Sequence, residues 1–212
     1  SYEVLKKGLR IVQEARKGGS EGGKRLAAPA SVSFMRPHPV YELGLKQLAA
    51  GEGMGAAWLV AWRYLLVVNE QITEAAELYP DARGRPRFGA VTTGFAADAG
   101  PALALVEQLP EARQREYELR GLRVPALYVM AFWLKDKQGV KDRLIVLPPA
   151  FPPVQALRPY APKEMLSLLR PLADEKLQAE LGSTPDYYRQ PEAGAASGAK
   201  NGGRGGGKKK RK

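Results

Sequence analysis

With 212 residues, 44% of them apolar, the chain is long enough for one domain with a sizeable core. It has no cysteine and one histidine, which excludes a disulfide framework, a thiolate or multi-histidine metal site, and a catalytic triad in its usual form. The net charge of +11 sits at the two ends: residues 191–212 carry seven Lys/Arg against one Glu, residues 1–28 seven against three Glu, and residues 29–190 nineteen against eighteen acids, so the totals give the body no basic groove.

The pattern predicts an amphipathic helix over residues 1–17, where Tyr2, Leu5, Leu9 and Val12 recur at helical spacing. Residues 18–30, rich in Gly, read as a flexible linker. The first helix is then either an arm for a partner or a helix that packs back on its own body. Residues 41–50 read as a short helix stopped at Gly51. Gly51-Glu-Gly-Met-Gly55 is a loop; it lacks the Lys-Ser/Thr ending and the preceding strand of a phosphate loop. Residues 58–68 read as a strand, 72–79 as its returning partner and 88–93 as another. Asp98 is the expected cap of a helix with Pro101 in its first turn, ended by Pro110. Residues 117–120 alternate as a strand.

Residues 127–134, Leu-Tyr-Val-Met-Ala-Phe-Trp-Leu, are the most hydrophobic run and precede a second run at 144–147. Strands apolar on every residue need cover on both faces, so this pair is expected at the centre of a sheet. Pro162 opens a helix that Pro171 should kink or split. The fold class is therefore α+β: a mainly antiparallel sheet of about five or six strands with helices on one face. The expected domain body is 31–184, and residues 185–212 read as a disordered basic tail.

No apolar run approaches the roughly 18–20 residues of a membrane helix. The N-terminal residues lack a signal-type apolar region, so a cytoplasmic protein without a membrane partner is expected. His38 lies between two prolines and reads as a loop histidine. Glu74, Glu77, Glu116 and Glu118 are the acid/base candidates. Asp81 with Glu116 and Glu118 faintly resembles the acidic constellation of metal-dependent nucleases, but Arg120 stands where that pattern has Lys. Trp58, Trp62 and Trp133 lie inside apolar runs and are expected in the core, with a base- or sugar-stacking platform as the alternative.

The clearest functional feature is the C-terminal run Lys208, Lys209, Lys210, Arg211 and Lys212, tethered through Gly to Arg204 and Lys200. Clustered cations on a glycine tether bind polyanions by counterion release, without reading sequence. The expected function is a non-enzymatic interaction or assembly domain whose tail contacts nucleic acid or another acidic surface, and whose body or first helix takes a protein partner. The alternative is a carboxylate-based, metal-dependent, nuclease-like hydrolase; otherwise no cofactor or metal site is expected.

Overall fold

The computed structural model describes residues 2–18, 32–68, 71–92 and 94–182. The expected linker lies almost wholly outside the described residues, and the basic tail with Lys200, Arg204, Lys208, Lys209, Lys210, Arg211 and Lys212 lies wholly outside them.

The described chain runs α1 (Tyr2–Gly18), β1 (Val32–Phe34), β2 (His38–Glu42), α2 (Leu45–Ala49), β3 (Trp58–Val68), β4 (Gln71–Pro80), β5 (Pro86–Thr92), α3 (Gly94–Gln108), α4 (Pro110–Gln114), β6 (Tyr117–Val124), β7 (Val129–Asp136), β8 (Arg143–Val146), β9 (Pro159–Tyr160) and α5 (Pro162–Gly182). The α+β class stands, but the sheet has nine strands where five or six were expected. Its order is β5-β4-β3-β2-β6-β7-β8-β9, with β1 paired to β3. Every pairing is antiparallel except that of β2 with β6. The extra strands are short or proline-bounded pieces: Val32–Phe34, His38–Glu42 and Pro159–Tyr160. Strands this short carry almost no periodicity for a sequence to display, even β2, which lies inside the sheet between β3 and β6.

Helices cover both faces, not one. Residues alternate along a strand, so Phe132 and Leu134 face away from Trp133. On one face, Leu5 and Leu9 of α1 pack against Tyr64, Leu66, Ala76 and Leu78, which settles the first helix as one that folds back on its own sheet. The same face carries α2 and α5, whose Leu48, Met165, Leu169 and Ala173 bury Trp133, Leu144 and Val146. On the opposite face, Phe95, Ala99 and Ala102 of α3 cover Leu65, Ala75, Phe132 and Ile145. The apolar strand β7 lies between β6 and β8, as an all-apolar strand requires, while β8 has only the two-residue β9 beyond it.

Three local expectations change. The segment read as a helix over 41–50 divides into β2 and the five-residue α2. The third helix starts at Gly94, so Asp98 is not its cap and Pro101 lies inside it. Pro171 lies within a continuous α5 and does not split it. Trp133 is buried as expected, but Trp58 and Trp62 are each 43% exposed. The sheet surface around Trp62, between the α1 patch and the α2/α5 patch, is left open among the described residues.

Candidate functional site

Two places gather the chemistry of this chain. The first is a buried polar cluster in the α3-bearing face of the sheet. The strand register puts His38 of β2 beside Arg63 of β3, and Arg63 beside Glu77 of β4. All three are buried: His38 is 2%, Arg63 2% and Glu77 4% exposed. Arg63 Nε donates to Glu77 Oε1 at 2.7 Å, and a second guanidinium nitrogen lies 2.6 Å from the same oxygen. Arg123, two strands further along in β6, reaches back and donates to that oxygen as well. The Tyr79 hydroxyl donates to Glu77 Oε2 at 2.5 Å. Burial alone would raise the Glu77 carboxyl, but Arg63 and the bonds from Arg123 and Tyr79 outweigh it and hold it at about 2.

Arg63 also stacks on the Phe95 ring, with its Cζ 3.9 Å from the centroid. His38 packs edge-on against Phe132, and neither ring nitrogen has a hydrogen-bond partner. Burial, then the neighbouring Arg63 charge, lower its pKa to about 3 against a smaller pull from Glu77. His38 is thus a neutral core residue rather than the loop histidine expected between two prolines. Two guanidiniums share one carboxylate, which leaves one positive charge uncancelled inside the cluster.

The second place is an open cleft of about 640 Å³ between the loop after α2, the β7–β8 loop and the first turns of α5. Lys141, Lys163 and Arg170 line it, together with Glu52. The β7–β8 loop that presents Lys141 is firmly built. The buried Asp136 carboxylate accepts backbone N–H bonds from Gln138, Val140 and Lys141 and pairs with Arg115 at 3.0 Å. Asp142 accepts from Trp133 Nε1 at 2.8 Å and pairs with Lys135 at 3.2 Å. Asp142 therefore does not cancel Lys141, although both line the cleft. Arg143 is likewise occupied, by Glu111 at 3.1 Å. Lys141 and Lys163 have no carboxylate partner among the described residues. Arg170 Nε donates to the Ala49 carbonyl at 3.0 Å, which lays its guanidinium across Gly51. Gly51 sits at φ 75°, and a Cβ there would stand 2.9 Å from Arg170. Glycine takes that left-handed φ without strain, whereas a side chain there would be strained and would push the end of Arg170 aside.

The expected loop holds for Gly51 to Gly53, while Met54–Ala56 forms a 3₁₀ turn; Gly51, Glu52, Gly53 and Met54 make one wall of the basic cleft. No sequence signal marked this, because Lys141, Lys163 and Arg170 come from two distant segments.

The four carboxylates proposed for metal chemistry do not converge. Glu77 is neutralised by two arginines, Glu116 pairs with Lys137 at 2.8 Å in solvent, and Glu118 pairs with Arg120 at 2.7 Å. Glu74 points to the opposite face of β4 from Glu77 by strand alternation. Asp81 is tied to Arg85 within its own turn. Among the described residues no three His, Asp or Glu side chains gather as a metal would need. With Trp133 buried, the three tryptophans form no common platform. Among the described residues no helix is long and apolar enough to cross a membrane. No protein-family model matches the chain, no curated protein matches its sequence, and no solved structure matches its fold.

Proposed function

We propose that this chain is a non-catalytic binding domain for a phosphate-rich polyanion such as nucleic acid. The basic C-terminal run supplies sequence-blind attraction, and the cleft at α5 supplies a fixed contact. The observation that carries the reading is the grouping of Lys141, Lys163 and Arg170 around one open cleft, with the two lysines uncommitted to carboxylates. Glu52 in the same cleft offsets only part of the charge of these three cations, and an anion relieves the remaining repulsion. Phosphate contacts position a polyanion without reading its sequence, so affinity depends on salt more than on base order.

The test is fluorescence anisotropy with labelled duplexes of unrelated sequence across a salt series. Four proteins are compared: the full chain, a chain ending at Gln190, and a Lys141→Glu, Lys163→Glu variant of each. Each phosphate neutralised on a duplex steepens the slope of log affinity against log salt by about 0.9. Removing the tail should flatten the slope and leave a weaker residual affinity. The double charge reversal should flatten the slope by roughly a further 2 and abolish the remainder. If the charge reversal leaves the shortened chain unchanged, the cleft is not the contact.

A further inference from the structure

The β4–β5 turn gathers charge that neither the basic cleft nor the C-terminal run includes. It reads Asp81-Ala-Arg-Gly-Arg-Pro-Arg87, and residues 82–87 are all exposed. Three arginines against one aspartate leave it at +2. The aspartate works inward, on its own turn. Its Oδ1 accepts from the backbone N–H groups of Arg83 and Arg85, both at 2.8 Å, and its Oδ2 accepts from Arg85 Nε at 3.0 Å. Arg83 and Arg87 form no ion pair among the described residues, and Arg87 acts on Asp81 through its charge alone. Both arginines stand in solvent, within reach of a ligand.

The Asp81 amide donates to the Arg85 carbonyl and the Gly84 amide to the Asp81 carbonyl, each at 2.8 Å, so the arginines project from a fixed frame. Pro80 pairs with Pro86 at the base of the turn. Gly84 at its tip, φ 73°, has nothing within 4 Å of where a Cβ would stand, so the tip is slim. The turn also lies away from the basic cleft. Three antiparallel pairings and one parallel one lead from β4 to β7, so these two strands run in opposite directions. Their C-terminal turns, with Arg83 in one and Lys141 in the other, stand at opposite ends of the sheet. They are four strand spacings apart, about 19 Å across it.

We propose that this turn is a DNA-binding finger: it rests on the backbone of a duplex and sends an arginine into the minor groove, with a preference for A·T tracts. This rests on the polyanion reading and narrows it to one class of nucleic acid. Arginine only donates hydrogen bonds, and with Asp81 occupied the finger has no side-chain acceptor to offer. The floor of an A·T minor groove shows only acceptors, whereas a G·C pair adds the guanine amino donor. A-tracts also narrow that groove and concentrate its negative potential, which draws arginine in. At about 6 Å the groove is too narrow for a two-stranded ribbon, so it takes a side chain while the ribbon stays on the phosphates. Two free cations alone bind a duplex too weakly to hold it, so the finger acts on DNA that the basic cleft already retains.

The experiment measures anisotropy of the full chain with labelled duplexes of equal length, one an A·T tract and one alternating G·C. The parent should favour the A·T duplex by about 5-fold or more. Arg83→Ala with Arg87→Ala should remove the preference and flatten the salt slope by roughly 1 to 2. Both positions are exposed and the bonds between Asp81 and Arg85 remain, so the melting temperature should hold. Arg83→Lys with Arg87→Lys keeps the charge and should keep the slope, but should lose most of the preference, because an ammonium is a more strongly hydrated point charge. Netropsin, which fills the A·T minor groove, should abolish the preference as well. If no duplex binds the full chain, the polyanion reading fails and the finger with it. If both duplexes bind equally, only the groove contact of the finger is overturned. A preference for G·C would place an arginine on guanine in the major groove and overturns it too. So does a lysine variant that keeps the preference, or a duplex RNA that binds as tightly as the A·T duplex.

Discussion

His38 is the single histidine of the chain, and its burial makes it a reporter for acid stability. Its folded pKa is about 3, against 6.5 for a free imidazole. The unfolded chain therefore binds a proton below pH 6.5 that the native protein refuses. The sign follows: stability is level above pH 6.5 and falls as pH drops from 6.5 towards 3, by about 1.4 kcal/mol per unit. Glu77 adds to this only later. Its pKa is lowered from 4.5 to about 2, so its contribution is lost between those values as pH falls. Thermal or urea unfolding should show a loss of about 2 kcal/mol between pH 7 and pH 5 that belongs to His38. His38→Leu should remove most of that dependence; equal pH slopes in parent and variant would mean the imidazole is solvated.

At the scale of elements, α1 is instructive because its weakest helical residue is a packing residue. Ala is favoured over Gly by about 1 kcal/mol in a helix interior. Yet Gly8 lies against β5, where an added Cβ would stand 2.1 Å from the Phe88 ring. Overpacking of that kind costs about 1–3 kcal/mol, so Gly8→Ala should lower stability, by up to about 2 kcal/mol net. Denaturant midpoints at constant m-value measure it. A stabilised variant would show that α1 does not seat on β5. The same contact explains why an isolated amphipathic pattern could not choose between an arm and a docked helix. Leu5 and Leu9 would be apolar in either case, and only the small residue between them reveals a close neighbour.

For the whole molecule, Glu77 is a tie across the sheet. It holds Arg63 on the neighbouring strand β3 and Arg123 on β6, with β2 between them. The tie joins the β3–β4–β5 half, backed by α1, to the β6–β7–β8 half, backed by α5. Removing the carboxylate leaves the buried Arg63 and the partly buried Arg123 guanidiniums without their shared counter-charge. Glu77→Ala should therefore cost about 3–5 kcal/mol, well above a surface ion-pair deletion such as Glu116→Ala. Comparing the two variants by denaturant unfolding tests it, and a loss below about 1 kcal/mol for Glu77→Ala would show that water reaches the cluster.

What the sequence determined by itself was local. Apolar alternation marked β3. The unbroken apolar runs marked β7 and β8 as strands needing cover, and Pro162 followed by Met165, Leu168 and Leu169 marked α5. These signals depend only on the period of each element. Which faces receive cover is a property of the assembled sheet, and that is why Trp62 reads as core yet stands 43% exposed. Register had to be decided by the fold as well. Only the pairing of β2, β3 and β4 sets His38, Arg63 and Glu77 abreast, and it does so past a bulge between Val40 and Tyr41 that no pattern announces. Charge totals failed for a related reason. A net balance over residues 29–190 averages the surface, whereas Lys141, Lys163 and Arg170 meet because α5 returns beside the β7–β8 loop. Short-range periodicity lies in the chain, but proximity between distant segments exists only once the sheet has closed their loops.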